Sequence, residues 1–464
     1  MTDPLLRAQL LPQEKPPKDR YNVAYIVFFI MGAGLLFSWN SFITAADYFG
    51  YLYPGAHIDR TFSLAYILAQ FTAIILVINY GRRFSPAARI TTGFTVFFVI
   101  LLVIPLLDVA FIRDDKGTFS TLAVTVGLVV IAGTMDALEQ GSLFGVAGEL
   151  PEVYTQAITA GTGASGFIVS LLRCITKAAL PRTRPGVRES AVLYFLIGAA
   201  FIAGVLASYR LLRQLPIIHY YERRKREREG EAQSILHLEN GQSPVRCQRW
   251  EPNAGPPSLK NSPASPLQRD LSFDAYLSAP GSPHSPPSPP VLVELDSPQT
   301  AVTFWQVFRK IWLFAVMMLL VFLVTLSIFP GFLSEDVHSG LLGDWYPVLL
   351  ITTYNTFDLV GKMLPLFFVV RNDKVIVSCV LLRALFFPAF LLCLHGPAAM
   401  GAEWVVFTLT AMLGATNGYF TGVLMMLAPK RVDPHEAETA GTVMVLFLAS
   451  GLAAGALGGW LWLL

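Results

Sequence analysis

Long apolar runs alternate with short polar connections along almost the whole chain. A helix needs about 20 apolar residues to cross the hydrocarbon core of a bilayer. Inside lipid every backbone polar group needs an internal partner, so such runs form helices. The pattern therefore predicts eleven membrane-spanning helices, over residues 22–44, 61–80, 88–110, 119–146, 154–178, 190–212, 305–329, 345–370, 374–394, 403–427 and 434–463.

One long polar segment, residues 213–302, divides these spans into six and five. It opens with a charged run and continues rich in Pro and Ser, a composition that buries too little apolar surface to offset the entropy of ordering. We therefore expect a disordered cytoplasmic loop over 213–302. The other segments are a cytoplasmic tail over 1–21, a bundle of helices 1–6 over 22–212 and a bundle of helices 7–11 over 303–464. This all-α, six-plus-five plan is typical of a major-facilitator-like membrane protein that lacks one helix.

The basic residues of the connections predict the orientation in the membrane, because Lys and Arg are retained on the cytoplasmic side. With eleven spans, five basic regions fall on one side: residues 7–20, 82–89, 210–228, 371–374 and 430–431. The prediction is an N-terminus inside and a C-terminus outside. One outer loop departs from the rule, with Arg182, Arg184 and Arg188.

The composition limits the possible functions. The chain is 54% hydrophobic and 14% charged, whereas soluble domains are about a quarter charged, so lipid is the expected surrounding medium. The net charge of +2 is too balanced for a nucleic-acid binder. We find no Walker A motif, no G-x-S-x-G and no His/Cys metal spacing. The sequence therefore predicts a transporter and not an enzyme, without cofactor or metal.

Ionisable residues inside spans are costly and usually face a cavity or a partner. The fourth span holds Asp136, Glu139 and Gln140, which share one helix face. Two carboxylates that close together favour retention of a proton on one of them. We interpret Asp136 and Glu139 as candidate proton-binding residues; the alternative is a structural network between helices.

The eighth span carries a polar stripe of Asn355, Asp358 and Lys362, in which the acid and the base are four residues apart. An i,i+4 pair lowers the cost of burying both charges, and a stripe in an apolar helix indicates a hydrophilic path. The ninth span adds Arg383. In the first span, Trp39 and Asn40 suit stacking on and hydrogen bonding to a planar ligand, although Trp39 would equally suit an interfacial anchor.

Several separate motifs follow one another along the spans. The eighth span reads Tyr-Asn-x-x-Asp-x-x-Gly-Lys from residue 354, and Asn-Gly-Tyr at 417–419 is followed by Ala-Pro-Lys at 428–430 and Glu-Ala-Glu-Thr-Ala-Gly at 436–441. Together they resemble the equilibrative nucleoside transporter family, and Trp-Asn-Ser-Phe-Ile-Thr at 39–44 and Ser-Ile-Phe-Pro-Gly at 327–331 are similar to that family's first and seventh helices. Tyr-Phe-Gly-Tyr-Leu-Tyr-Pro at 48–54 and Trp-Tyr-Pro at 345–347 resemble its plant-type branch. Many relatives have Arg where this chain has Lys362, and Lys lacks the planar fork of Arg.

The resemblance implies nucleoside transport by alternating access. The substrate-binding candidates are Trp39, Asn40, Gln140, Asn355, Asp358, Lys362 and Arg383. Plant-type relatives also imply coupling to protons, for which Asp136, Glu139 and Asp358 are the candidates. A nucleoside is uncharged, with a planar base and a polyhydroxyl ribose, and needs aromatic, amide and a few charged groups in an apolar cavity. The alternative is a major-facilitator-type carrier of another polar solute, such as an organic cation or a sugar.

The loop and the tail suggest regulation and sorting. Ser-Pro pairs begin at Ser243, Ser262, Ser265, Ser282, Ser285, Ser288 and Ser297. In a flexible cytoplasmic segment these serines are candidate kinase substrates, with a low-complexity spacer as the alternative. Leucine pairs at 5–6 and 10–11 resemble sorting signals, so the expected location is the plasma membrane or the vacuolar membrane.

Overall fold

The computed structural model describes residues 16–44, 46–54, 58–80, 83–112, 117–179, 184–239, 304–329, 339–343, 345–395 and 402–459, and these residues are helical apart from short turns. The first six spans are Val23–Thr44, Ile58–Tyr80, Pro86–Leu107, Phe119–Glu149, Glu152–Ala179 and Arg184–Leu212. The seventh, eighth, tenth and eleventh spans are Phe304–Ile328, Trp345–Met363, Glu403–Leu427 and Ala437–Gly458. The ninth span consists of Asp373–Leu382, a 3-10 turn over Arg383–Leu385, and Phe386–His395.

Ten helices among the described residues are long and apolar enough to cross a membrane. The helix Trp345–Met363, which has 19 residues, is not one of the ten. Threonines, Asn355, Asp358 and Lys362 lower its mean hydropathy. Because this eighth helix packs between the fifth and tenth spans, we count it as a span as well, which brings the total to eleven. The predicted all-α, multi-pass architecture is confirmed.

The prediction of disorder immediately after the sixth span is wrong, because Pro216–Glu239 forms a helix. Proline favours the first position of a helix, and Pro216 occupies it here. Ile217, Ile218 and Tyr220 are buried, so the first turns have an apolar side that packs on the protein. The prediction overlooked this side because the charged residues dominate the composition. Residues 240–302 and all seven candidate phosphorylation serines lie outside the described residues.

The first and fifth spans approach closely through glycine. A Cβ atom on Gly32 would lie 2.1 Å from the carbonyl oxygen of Ile158, and one on Gly161 would lie 2.0 Å from that of Phe29. Small residues let membrane helices pack at this distance. The glycine-rich stretch at 160–166 is therefore part of a packing surface, and the packing brings the polar residues of the first span beside the fifth.

The two halves of the chain meet along several pairs of helices. The fifth span packs against the eighth, and the eleventh packs against the second and fourth. The predicted polar residues of the fourth and eighth spans lie on helices that take part in these contacts, whereas Trp39, Asn40 and Arg383 lie on the first and ninth spans, which do not. The interface between the halves is thus the place where a path for solute is expected.

The outer loop that departs from the charge rule has a partner for one of its arginines. Arg188 donates from Nε to Asp108 at 2.5 Å, and the hydroxyl of Tyr48 donates to the same buried carboxylate at 2.5 Å. Asp108 begins a π-helical turn, Asp108–Ile112, at the end of the third span. A neutralised arginine is a weaker orientation signal than a free one, which explains this part of the exception.

Candidate functional site

A chain of buried polar groups crosses the five-helix half. Lys362 Nζ lies 2.8 Å from Asp358 Oδ2, and Asn417 donates from Nδ2 to Asp358 Oδ1 at 2.7 Å. The hydroxyl of Thr325 lies 2.9 Å from Asn417 Oδ1. Asp358 and Lys362 are each 5% exposed, so the predicted i,i+4 pair forms and both carboxylate oxygens have partners. We call Lys362, Asp358, Asn417 and Thr325 the polar chain.

Arg383 lies at the far end of the polar chain. It donates from Nη2 to the hydroxyl of Thr325 at 2.6 Å and from Nη1 to the carbonyl oxygen of Leu413 at 3.3 Å, and also contacts the hydroxyl of Thr416. The side chain is 2% exposed. The sequence proposed Arg383 as a substrate contact. In the structure its two terminal amino groups hold the seventh, ninth and tenth spans together, which is a positioning arrangement.

The eighth span is joined to the fifth across the interface between the halves. Asn355 donates from Nδ2 to the hydroxyl of Ser170 at 2.7 Å, and Gln156 donates from Nε2 to the carbonyl oxygen of Lys362 at 2.9 Å. The hydroxyl of Tyr25 donates to Gln156 Oε1 at 3.0 Å. The polar stripe of the eighth span therefore faces the other half of the protein and not lipid.

In the first span, Asn40 donates from Nδ2 to the hydroxyl of Ser165 at 3.0 Å. Trp39 is half-buried and stacks on Tyr66 of the second span, with ring centroids 4.2 Å apart. The stacking joins Trp39 to the second span of the bundle. One face of the indole is covered by Tyr66, and no other ring of the described residues stacks on Trp39.

The fourth-span residues form a second polar group, in the six-helix half. Gln70 donates from Nε2 to Asp136 Oδ2 at 2.5 Å, and the hydroxyl of Tyr66 lies beside the same carboxylate. Glu139 lies against Gly93 of the third span. Asp136 and Glu139 are fully buried, and Gln140 is 3% exposed with no partner for its Oε1. We call Tyr66, Gln70, Asp136 and Glu139 the acid group.

Sequence reasoning missed several members of these networks. Asn417 was noticed only as part of a family motif, and Gln156, Ser165 and Ser170 of the fifth span were not singled out. A polar residue next to a glycine-rich stripe was the available signal for the serines. Nothing in the sequence indicated that Thr325 would connect Asn417 to Arg383, because that contact joins helices 58 to 92 residues apart.

One group of residues within the described ranges has the spacing of metal ligands: Asp433, His435 and Glu436. Lys310 lies 2.8 Å from Asp433 Oδ2 and 2.7 Å from Glu436 Oε2. The hydrogen bond from Lys310 lowers the pKa of Asp433 from its ordinary value. A lysine ammonium thus occupies the position that a cation would need.

The comparisons with known proteins agree with the geometry. A family model described as "Nucleoside transporter" matches residues 126–464. Two proteins of Arabidopsis thaliana named equilibrative nucleotide transporter 1 and 8 are 39% and 38% identical to this chain over 97% and 98% of its length, and over 88% and 99% of their own. The human protein named equilibrative nucleoside transporter 4 is 32% identical over 95% of this chain and 83% of its own.

Solved structures with a similar fold include the E. coli fucose:proton symporter, with a TM-score of 0.52 and 10% identity over 96% of this chain and 92% of that chain. A proton:xylose symporter of the major facilitator superfamily also has a TM-score of 0.52, with 11% identity over 96% of this chain and 89% of that chain. At this identity the likeness shows the fold alone, a major-facilitator-like bundle. Since the family model covers more than half of the chain and relatives match nearly all of it, the protein belongs to the nucleoside transporter family.

Proposed function

We propose that the protein is a carrier, not an enzyme, that moves purine and pyrimidine nucleosides, such as adenosine and uridine, across a membrane by alternating access. The observation that carries this proposal is the buried Asp358–Lys362 pair on the eighth span, which lies at the interface between the two halves. A charged pair in that position gives charge-assisted hydrogen bonds to ribose hydroxyls. Family membership and the names of the relatives support the choice of substrate.

The substrate residues that we propose are Trp39, Asn40, Gln140, Asn355, Asp358 and Lys362, with Arg383 in a positioning role. The free face of Trp39 stacks on the base, and the amides of Asn40, Asn355 and Gln140 supply hydrogen bonds. Binding at the interface suits alternating access, because each half can then open away from the substrate in turn.

The charges of the site favour nucleosides over nucleotides, although the Arabidopsis relatives carry the name nucleotide transporter. A phosphate needs a cluster of basic groups. Lys362 is already paired with Asp358 at 2.8 Å, and Arg383 donates to hydroxyl and carbonyl oxygens inside the five-helix half. A carrier of sugars or organic cations, our alternative, has only the fold-level likeness to the sugar symporters in its favour.

Uptake of radiolabelled adenosine, uridine and AMP into cells deficient in nucleoside transport tests the proposal. We expect saturable uptake of both nucleosides and none of AMP. The protein must first be located by surface labelling; if it resides in the vacuolar membrane, isolated vacuoles replace whole cells. Correctly inserted protein without uptake of any nucleoside would contradict the proposal.

Proton coupling is a separate proposal, for which the sequence offers Asp136, Glu139 and Asp358. Uptake at acidic and neutral pH, with and without a protonophore, tests it. Uptake that responds to neither would leave a facilitative carrier. Kinase modification of the seven loop serines stays a prediction, and phosphopeptide mapping of the purified protein is its test.

A further inference from the structure

The acid group of the six-helix half contains acceptor oxygens that have no donor. Gln70 Oε1, Asp136 Oδ1 and both carboxylate oxygens of Glu139 are buried and without a hydrogen-bond partner, and the buried hydroxyl of Tyr66 makes no hydrogen bond of normal geometry either. The side chains of Gln70, Tyr66 and both acids are between 0% and 3% exposed. Few buried polar groups in folded proteins lack a partner, so this concentration of unpaired acceptors points to a ligand that supplies positive charge or a donor.

The charged groups on the surrounding helices do not supply that charge. Arg89 lies one turn from Gly93 on the third span, but it pairs with Glu438 of the eleventh span at 2.7 Å. Gln70 and Tyr66 of the second span are neutral, and so is Gln140 on the same helix as the acids. None of the ion pairs found among the described residues includes Asp136 or Glu139. Burying two ionised carboxylates without partners in a low-dielectric interior costs far more free energy than burying the same two acids with a proton on one of them.

The two acids differ in their surroundings. Asp136 accepts a hydrogen bond from Gln70 at 2.5 Å and has the hydroxyl of Tyr66 beside it. Hydrogen bonds from neutral donors stabilise the charged form of a carboxylate. Both oxygens of Glu139 accept nothing, and its carboxyl fills space left by Gly93, where a Cβ atom would lie 2.3 Å from Glu139 Oε1.

We infer that Glu139 binds the transported proton, in a site that Asp136, Gln70 and Tyr66 complete, and that Asp358 does not. Both oxygens of Asp358 are engaged, by Lys362 at 2.8 Å and by Asn417 at 2.7 Å, which keeps that acid ionised. In one cycle the carboxylate of Glu139 takes a proton from the side where substrate enters, and the O–H bond breaks to release it on the other side. This inference rests on the proposed nucleoside transport.

The stacking of Trp39 on Tyr66 connects the proton site to the substrate site. The ring of Tyr66 lies 4.2 Å from the indole of Trp39, and its hydroxyl lies beside Asp136. A base stacked on the free face of Trp39 restricts the same aromatic pair that contacts the acid group. Binding of substrate and binding of the proton thereby act on one pair of side chains.

The test uses the full chain in proteoliposomes loaded with unlabelled uridine. Exchange of internal for external labelled uridine at equal pH needs no proton movement, whereas accumulation under an inward proton gradient does. For Glu139→Gln, which mimics the protonated acid, we expect exchange within about twofold of wild type. Accumulation driven by the proton gradient is expected to fall to the level without a gradient. Glu189→Gln, at an exposed position of the sixth span, is the matched control and keeps both activities.

The outcomes separate this inference from the proposed function. Wild-type protein without exchange would contradict nucleoside transport itself. Exchange with no response to the proton gradient, or with accumulation driven by a sodium gradient instead, would overturn the proton site while leaving the carrier intact. Full accumulation by Glu139→Gln would also overturn it. If that variant does not fold, Asp136→Asn replaces it: loss of accumulation with exchange retained supports the site, and full accumulation contradicts it.

Discussion

At the scale of single residues, the Asp358–Lys362 pair gives the most direct prediction. In Asp358→Asn the ammonium of Lys362 stays buried without its counter-charge, and removing one partner of a buried pair costs about 3–5 kcal/mol. We expect uridine uptake to fall more than tenfold and the variant to unfold at lower temperature in detergent. The double variant Asp358→Asn/Lys362→Met should recover thermal stability but not uptake. Near wild-type uptake by the single variant would show that the pair does not face the substrate path.

Arg383 gives a second prediction at this scale. Its planar group contacts the hydroxyls of Thr325 and Thr416 and the carbonyl oxygen of Leu413, a geometry that the single ammonium of lysine cannot reproduce. Arg383→Lys should lower the free energy of unfolding by about 1–3 kcal/mol. If Arg383 positions the polar chain, we expect the KM for uridine to rise together with the fall in the free energy of unfolding. Unchanged stability with abolished binding would instead identify Arg383 as a direct substrate contact.

At the scale of helices, the contact between the first and fifth spans depends on the absence of side chains. Gly161→Ala would bring a methyl group within about 2.0 Å of the backbone oxygen of Phe29, which only a separation of the two helices relieves. We expect a lower yield of monodisperse protein and a lower unfolding temperature, as measured by fluorescence-detected gel filtration after heating. The matched control is Gly204→Ala, because no atom lies within 4 Å of a Cβ atom there.

The hydrophobic pattern predicted one unusual helix and missed another. The eighth helix was predicted from the length of its largely apolar run, although its polar residues make it less hydrophobic than the other ten spans. The helix Pro216–Glu239 was not predicted, since the burial of Ile217 and Ile218 depends on a surface that only the folded bundle provides.

At the scale of the whole molecule, ion pairs connect the two halves at the end predicted to be cytoplasmic. Glu438 of the eleventh span lies 2.7 Å from Arg89 and 3.5 Å from Lys225, which both belong to the first half of the chain. Arg371 pairs with Glu152 at 2.9 Å. Lys430 donates to the carbonyl oxygens of Gly148 and Leu150 at the end of the fourth span. These contacts join the two halves at this end in the conformation described.

Lys225, on a helix outside the eleven spans, lies 2.7 Å from Glu149 of its own half and 3.5 Å from Glu438 of the other. We expect the pair with Glu438 to stabilise this conformation of the transport cycle. The side chain is 40% exposed, and an ion pair of that kind contributes about 0.2–1 kcal/mol. Lys225→Ala should speed maleimide labelling of a cysteine introduced at the buried Ala437 by about 1.4- to 5-fold, in a chain whose four native cysteines are replaced. Arg226→Ala, an exposed neighbour, is the control. Equal labelling rates in the two variants would contradict this role.

The sequence by itself determined that lipid surrounds the protein, how many spans it has and which ionisable residues lie inside them. The length of an apolar run determines whether a segment can cross lipid. A charged residue inside such a run is rare, so it indicates function whichever way its side chain faces. Only the tertiary structure decided which of those residues are paired with an opposite charge and which are not. In the folded protein Asp358 contacts Lys362 and Asn417 at the interface, whereas Asp136 and Glu139 form no ion pair with any of the described residues. The sequence could not show this difference, because the partners of each acid depend on contacts between helices far apart in the chain. These intramembrane acids looked alike in sequence, and only packing showed that Asp358 is paired with a cation and that Asp136 and Glu139 are not.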